Sequence, residues 1–140
     1  MRLSVFTPES SPQLLIDLAK IYQYHFAAEQ LTPTALHNLI GNEQAQVYVT
    51  MFNERHLGAL QVKAKDKQAK LSLLSVRDVT RRRGVAKNLI REVEKKLKNE
   101  GVLEVEMDLN EIQEKEKAGL ILFMQASGYQ LINNIFKKVL

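Results

Sequence analysis

The feature that most restricts the fold is a strand, a basic glycine loop and a long amphipathic helix in immediate succession. Residues 69–76 form an apolar, strand-like run that ends Leu71-Ser72-Leu73-Leu74-Ser75-Val76. Arg81-Arg82-Arg83-Gly84-Val85-Ala86 follows. Val85, Leu89, Ile90, Val93 and Leu97 then recur as one apolar stripe, while Arg91, Glu92, Glu94, Lys95, Lys96 and Lys98 occupy the other faces. A glycine loop that feeds a helix gathers unpaired N–H groups, the positive end of the helix dipole and, here, three guanidinium groups. That combination binds phosphate. Gly84 lets the backbone approach an anion without a Cβ in the way, and Ala86 is small for the same reason. Taken in isolation, the same residues also describe a solvated basic turn, so the context decides.

Upstream, residues 1–8 are briefly apolar and read as a first strand. Ser10-Ser11-Pro12 starts a helix carried by Leu14, Leu15, Leu18, Ile21 and Tyr22. Thr32-Pro33, an N-cap with proline at the first helical position, starts a second through Leu36, Leu39 and Ile40, ended by Gly41-Asn42. Residues 46–52 and 57–65 are strand-like and joined through Asn53-Glu54-Arg55-His56 as a hairpin. A charged turn at Asp66-Lys67-Gln68 leads into the strand before the arginine loop. Downstream, Gly101 stops the amphipathic helix. A strand follows at 104–109, then a helix over about 114–127 that stops at Gly128, then a terminal hairpin of 129–132 and 135–139 around Asn133-Asn134. The expected order is β-α-α-β-β-β-α-β-α-β-β, an α/β sandwich formed as a single domain over residues 1–140.

Composition narrows the chemistry. The chain has no cysteine, which excludes disulfides, thiolate metal sites and an acyl-cysteine intermediate. A net charge of +4 favours an anionic partner. Nucleic acid is set aside, because aromatics are only 6% and none interleaves with the basic residues as in single-strand binders. No apolar run is long enough to span a bilayer and the N-terminus is not a signal peptide, so the expectation is a cytoplasmic protein without a membrane partner. His25, His37 and His56 lack metal-ligand spacing, and no metal site is expected.

The arginine loop is not a Walker A motif, because Gly-x-x-x-x-Gly-Lys-Ser/Thr is absent. Nor is it a Rossmann fingerprint, which needs Gly-x-Gly-x-x-Gly after the first strand. The strand at 71–76, Arg81-x-x-Gly84-x-Ala86 and the helix behind them resemble motif A of the GNAT acyltransferase superfamily, and the element order matches that fold over the whole chain. The resemblance implies a mixed central sheet flanked by helices and acetyl-CoA (or CoA) as the ligand. Its binding residues would be Leu74, Ser75 and Val76, whose backbone would pair with the pantetheine arm, and Arg81, Arg82, Arg83, Gly84, Val85, Ala86 and Lys87 around the pyrophosphate.

Catalytic members usually protonate the departing thiolate with a tyrosine four residues before the glycine that ends the last helix. Here Phe123-Met124-Gln125-Ala126-Ser127-Gly128-Tyr129 puts Met124 at that position, and Lys117 stands where many members have asparagine. Tyr129 reads as a core residue. Glu104, Glu106 and Asp108 alternate along one strand face and read as a solvent-facing row, with Asp108 and Asn110 as candidates to line an acceptor cleft. No catalytic residue is assigned.

Further segments resemble the PanZ-type maturation factors of aspartate 1-decarboxylase within that superfamily. They are Ile16-Asp17-Leu18-x-Lys20-Ile21, Phe52-Asn53-Glu54-Arg55, Val76-Arg77-x-Val79-Thr80-Arg81-Arg82-Arg83-Gly84-Val85 and Phe123-Met124-Gln125-Ala126-x-Gly128. This resemblance implies a protein that binds acetyl-CoA and acts on the pro-form of the decarboxylase. It would promote the self-cleavage that creates the pyruvoyl group and make that enzyme responsive to acetyl-CoA. Asn53 matches a position the group uses against its partner, with Arg77 and Asp78 as companions; Met51 departs from an arginine expected before Phe52. The alternative is an active N-acetyltransferase acting on a primary amine of a small molecule or protein.

Overall fold

A computed structural model describes residues 3–77 and 84–140. Asp78, Arg81, Arg82 and Arg83 therefore lie outside the described residues. The order is β1 (Ser4–Phe6), α1 (Pro12–Ile21), α2 (Pro33–Ile40), β2 (Gln46–Phe52), β3 (Arg55–Lys65), β4 (Gln68–Val76), α3 (Val85–Asn99), β5 (Glu104–Asp108), α4 (Glu114–Ala126), β6 (Gln130–Ile132) and β7 (Ile135–Val139). Short 3-10 turns at Ala28–Gln30 and Leu109–Glu111 complete it. This is the expected α/β order.

Local chemistry explains the boundaries. The Ser11 and Thr32 hydroxyls accept from the amides of Leu14 and Ala35, and a proline follows each cap. Gly101 and Gly128 end α3 and α4 at φ of 92° and 95°, the left-handed conformation that glycine adopts without a Cβ penalty. The β2–β3 turn is tighter than its four polar residues suggest. Phe52 pairs with Arg55, so the turn is only Asn53-Glu54, both left-handed (φ 50° and 64°), and Arg55 and His56 belong to β3. Asn133-Asn134 repeats this two-residue geometry between β6 and β7.

The strands form one sheet in the order β1-β2-β3-β4-β5-β7-β6. Among the described residues β4 and β5 pair in parallel and every other neighbouring pair is antiparallel. Parallel strands require a crossover, and α3 provides it. Side-chain alternation divides the core in two. Tyr48, Leu60, Val62, Leu71, Val105, Met107 and Phe136 pack with Leu89, Ile90, Val93 and Leu97 of α3 and Met124 of α4. Val47, Val49 and Ala59 pack instead with Leu14, Leu18 and Ile21 of α1 and Leu36 of α2. β2 and β3 thus serve both cores through alternate residues.

One polar group is held inside this frame. Asp17 on α1 is fully buried. Its Oδ1 accepts from Arg55 Nε (3.1 Å) and Nη2 (2.8 Å) and from Gln13 Nε2 (2.9 Å). Its Oδ2 accepts from the His56 amide (2.9 Å) and lies 2.8 Å from His56 Nδ1. An ionised carboxylate can only accept, so Nδ1 carries the proton in this pair. Burial by itself raises the Asp17 carboxyl, but the hydrogen bonds from Arg55, the His56 amide and ring, and Gln13 outweigh it and hold the group at about 2, below the ordinary 3.8. The folded pKa is depressed, so this stabilisation is complete above the unfolded value and is lost as pH falls toward 2. Denaturant unfolding should show about 2 kcal/mol of stability lost between pH 5 and pH 2 from this group. Asp17→Asn should lower stability at pH 7 by about 3 kcal/mol and flatten the acid limb, as followed by circular dichroism.

Candidate functional site

β4 carries the irregularity on which the site depends. Ala59 and Gln61 of β3 face Ser75 and Ser72 of β4, so Leu73 and Leu74 together oppose Leu60. This is a β-bulge, with the extra residue at left-handed Leu73 (φ 53°). It inverts side-chain parity. Leu71 packs into the core beneath α3, Leu73 into the core beneath α1, and Leu74 returns to the first. A left-handed leucine costs about 1–2 kcal/mol, and two hydrogen bonds from the end of α1 offset it. The buried Tyr22 hydroxyl donates to the Leu73 carbonyl oxygen and the Ser75 hydroxyl donates to that of Ile21, each at 2.7 Å. Burial pushes the Tyr22 phenol up, which keeps it a donor at neutral pH.

The bulge also ends the pairing with β5. Gln68 to Leu71 register with Glu104 to Met107, and beyond Leu71 no β5 partner follows among the described residues. β4 splays from β5 and a cleft of about 560 Å³ opens between them. That volume lies within the ~300–1,000 Å³ usual for small-molecule sites. Leu74, Ser75 and Val76 form one side, and Gly84, Val85, Ala86 and Lys87 form the end where α3 begins. The structure therefore gathers the described members of the sequence-derived ligand set around one cavity. Because the Ser75 hydroxyl is turned to α1, Ser75 offers the cleft its backbone.

Gly84 adopts φ 77° as the N-cap of α3, and a Cβ there would meet nothing within 4 Å. The glycine answers to its left-handed backbone, and its surroundings are open. The first helical bond of α3 runs from the Asn88 amide to the Gly84 carbonyl oxygen (3.0 Å). The amides of residues 85–87 thus belong to the turn whose donors a helix leaves without internal partners, where the dipole is positive.

The opposite wall went unmarked in sequence. Glu116, Gly119, Leu120 and Phe123 of α4 line the cleft with Met107, Ile112 and His25. Their i, i+3, i+4, i+7 spacing is one helix face. It was masked because apolar residues surround α4: Met124 is fully buried in the core while Leu122 is 72% exposed. Met124, the residue at the sequence position of the usual tyrosine, is therefore not on the cleft wall. It faces the core and lies outside the cleft lining. Tyr129 is also internal, donating to Glu94 Oε2 (2.6 Å) beside Lys138, which bonds Glu94 Oε1 (2.9 Å).

Other singled-out residues have structural tasks. Asp108 caps the following 3-10 turn by accepting from the Asn110 amide (2.8 Å). Glu104, Glu106 and Asp108 are half-buried opposite buried Val105, Met107 and Leu109, and Glu106 registers between Lys70 and Lys137. Lys117 pairs with Glu114 (2.9 Å). His56 belongs to the Asp17 cluster, His37 Nδ1 lies 2.9 Å from the Ser10 hydroxyl, and His25 borders the cleft. Asn53 is exposed at the tip of the β2–β3 hairpin. Arg77, whose amide donates to the Leu57 carbonyl oxygen (2.8 Å), lies at the same end of the sheet.

A parallel pair that splays at a bulge, facing a glycine-started helix, is the architecture of an acyl-CoA-type acetyltransferase fold. The family described as "Acetyltransferase (GNAT) domain, PanZ" matches residues 3–137, and the chain belongs to that family. It is 32% identical over 130 residues to a PanD regulatory factor of Salmonella typhimurium, covering 92% of each chain. It is 36% identical over 94 residues to a PanD regulatory factor of Escherichia coli, covering 66% of this chain and 67% of the relative. The solution structure of YhhK from E. coli bound to coenzyme A superposes with a TM-score of 0.78, at 31% identity and 99% coverage of both chains.

The bulge generates a test. Tyr22→Phe removes one hydroxyl and leaves the Leu73 carbonyl without its buried donor. Equilibrium unfolding should show a loss of about 1–3 kcal/mol, and amide exchange should quicken at Leu73 to Ser75 ahead of the rest of β4.

Proposed function

We propose that this chain is an acetyl-CoA-binding regulator, which docks on the pro-form of aspartate 1-decarboxylase and promotes the self-cleavage that forms its pyruvoyl group. Family membership and the regulatory relatives support this reading. The observation that carries it is the cleft itself: an edge of β4 left unpaired by the bulge, running to the start of α3 at Gly84. A pantetheine arm carries two amide groups, separated by one more methylene than in a peptide, and can hydrogen-bond along Leu74, Ser75 and Val76 of β4 much as a strand would. Its pyrophosphate then rests against the amides of Val85, Ala86 and Lys87. Arg81, Arg82 and Arg83 directly precede Gly84 in the sequence and carry charge suited to the diphosphate.

Regulation rather than turnover is favoured by the helix that would carry a thiolate acid. At that turn Met124 is packed into the core, and Tyr129 is engaged with Glu94. On this reading the bound thioester acts as a signal. Asn53, Arg77 and Asp78 form the partner surface, with Asn53 held at a defined angle by the Asp17 cluster beneath its hairpin. The 140 residues act as one acetyl-CoA-binding domain in the cytoplasm. Among the described residues no helix is long and apolar enough to cross a membrane.

Two measurements test the reading. Gly84→Val should weaken acetyl-CoA binding at least about tenfold by calorimetry, because a β-branched residue resists the left-handed conformation at the anion site. The uncleaved decarboxylase, mixed with this protein and acetyl-CoA, should be cleaved faster than with either alone when chain masses are followed over time. An unchanged cleavage rate rejects the regulatory role.

A further inference from the structure

Past Leu74 the cleft meets a smaller, more enclosed chamber of about 160 Å³. The two spaces share His25, Leu74, Met107, Ile112 and Glu116, so they adjoin. Their order along β4 gives a direction. Val76 and Ser75 line the cleft near Gly84, while Leu73 and Ser72 line only the chamber, at the end away from α3. Across its outer side Gln113 Nε2 reaches the Tyr24 carbonyl oxygen at 3.3 Å, joining the segment after α1 to the start of α4. The space holds about five waters at roughly 30 Å³ each, which suits a short acyl group.

The chamber's charge is one-sided. Asp108, Glu111 and Glu116 border it, and His25 is its one basic neighbour among the described residues. Lys70 partly offsets Glu111, its Nζ lying 2.9 Å from Oε1, and it also interacts with Asp108, although it does not border the chamber. Asp108 Oδ1 accepts from the Asn110 amide. Glu116 borders both spaces, at their junction.

We propose that this chamber receives the acyl end of a bound CoA thioester, and that its carboxylates admit small uncharged acyl groups while rejecting those that end in a carboxylate. The proposal rests on the reading of the cleft as a CoA site and adds the class of thioester that the site accepts. A carboxylate entering here meets like charges in a partly enclosed space, where repulsion is stronger than in bulk water. Butyryl and succinyl thioesters separate charge from length, since both carry four-carbon acyl chains.

Calorimetric titration of the full chain with acetyl-CoA, butyryl-CoA, succinyl-CoA and free CoA tests this. Butyryl-CoA should bind within several-fold of acetyl-CoA, and succinyl-CoA at least about tenfold more weakly than butyryl-CoA at low ionic strength. Glu116→Gln combined with Asp108→Asn, which keeps a capping oxygen, should narrow that gap by improving succinyl-CoA binding. Glu116→Gln alone provides the same readout if the double variant unfolds. Equal binding of butyryl- and succinyl-CoA by the native chain, with free CoA also bound, overturns the chamber proposal and leaves the CoA site standing. Failure of all four compounds to bind overturns both.

Discussion

The site exists because β4 contains one residue too many for its partner. With Leu73 left-handed and Leu73-Leu74 set against Leu60, the strand changes direction and cannot stay with β5 past Leu71. Hydrogen-bonding edge, cavity and direction of approach to α3 all follow from that divergence. The extra residue is itself unfavourable for a leucine, and it is retained by Tyr22 and by the Ile21 carbonyl oxygen. The end of α1 is therefore part of the cleft's architecture although it belongs to the other core.

A second tie connects the same helix to the outer end of the sheet. Asp17 gathers Gln13 on its own helix with Arg55 and His56 at the start of β3, just past the Asn53-Glu54 turn. A buried charge is costly unless its partners are complete, and here both carboxylate oxygens are engaged. α1 thus braces the β4 wall of the cleft through its last turn and the start of β3 through its middle turn. The two surfaces proposed for ligand and partner are braced by one short helix.

Much of this was legible in the sequence, where local chemistry decides. Ser11-Pro12, Thr32-Pro33, Gly101, Gly128 and Asn133-Asn134 mark boundaries within a residue or two, and Gly84 marks the start of α3 at a left-handed position. The bulge was not legible. Leu71-Ser72-Leu73-Leu74 reads as ordinary strand, and nothing in a leucine announces a positive φ that tertiary hydrogen bonds enforce. The Asp17 cluster was hidden by distance along the chain, although Asp17 and Arg55 fall in two of the segments that carry the family resemblance. The wall that α4 supplies was hidden for a third reason: with apolar residues around much of its circumference, no polar face fixed the helix's rotation.

The inverted parity of β4 has a consequence for how such a chain can change over generations. Substitutions at Leu73 or Leu74 alter strain or packing at one position, but deleting either residue restores strict alternation. Every side chain from Ser75 onward would keep its face and its partner on β3, and β4 would lose the surplus residue that carries it away from β5. The cleft is encoded as one residue in excess of the partner strand more than as a set of side chains. Descendants of this sequence can drift widely in composition along β4, whereas a single in-frame codon loss there would abolish the cavity in one step.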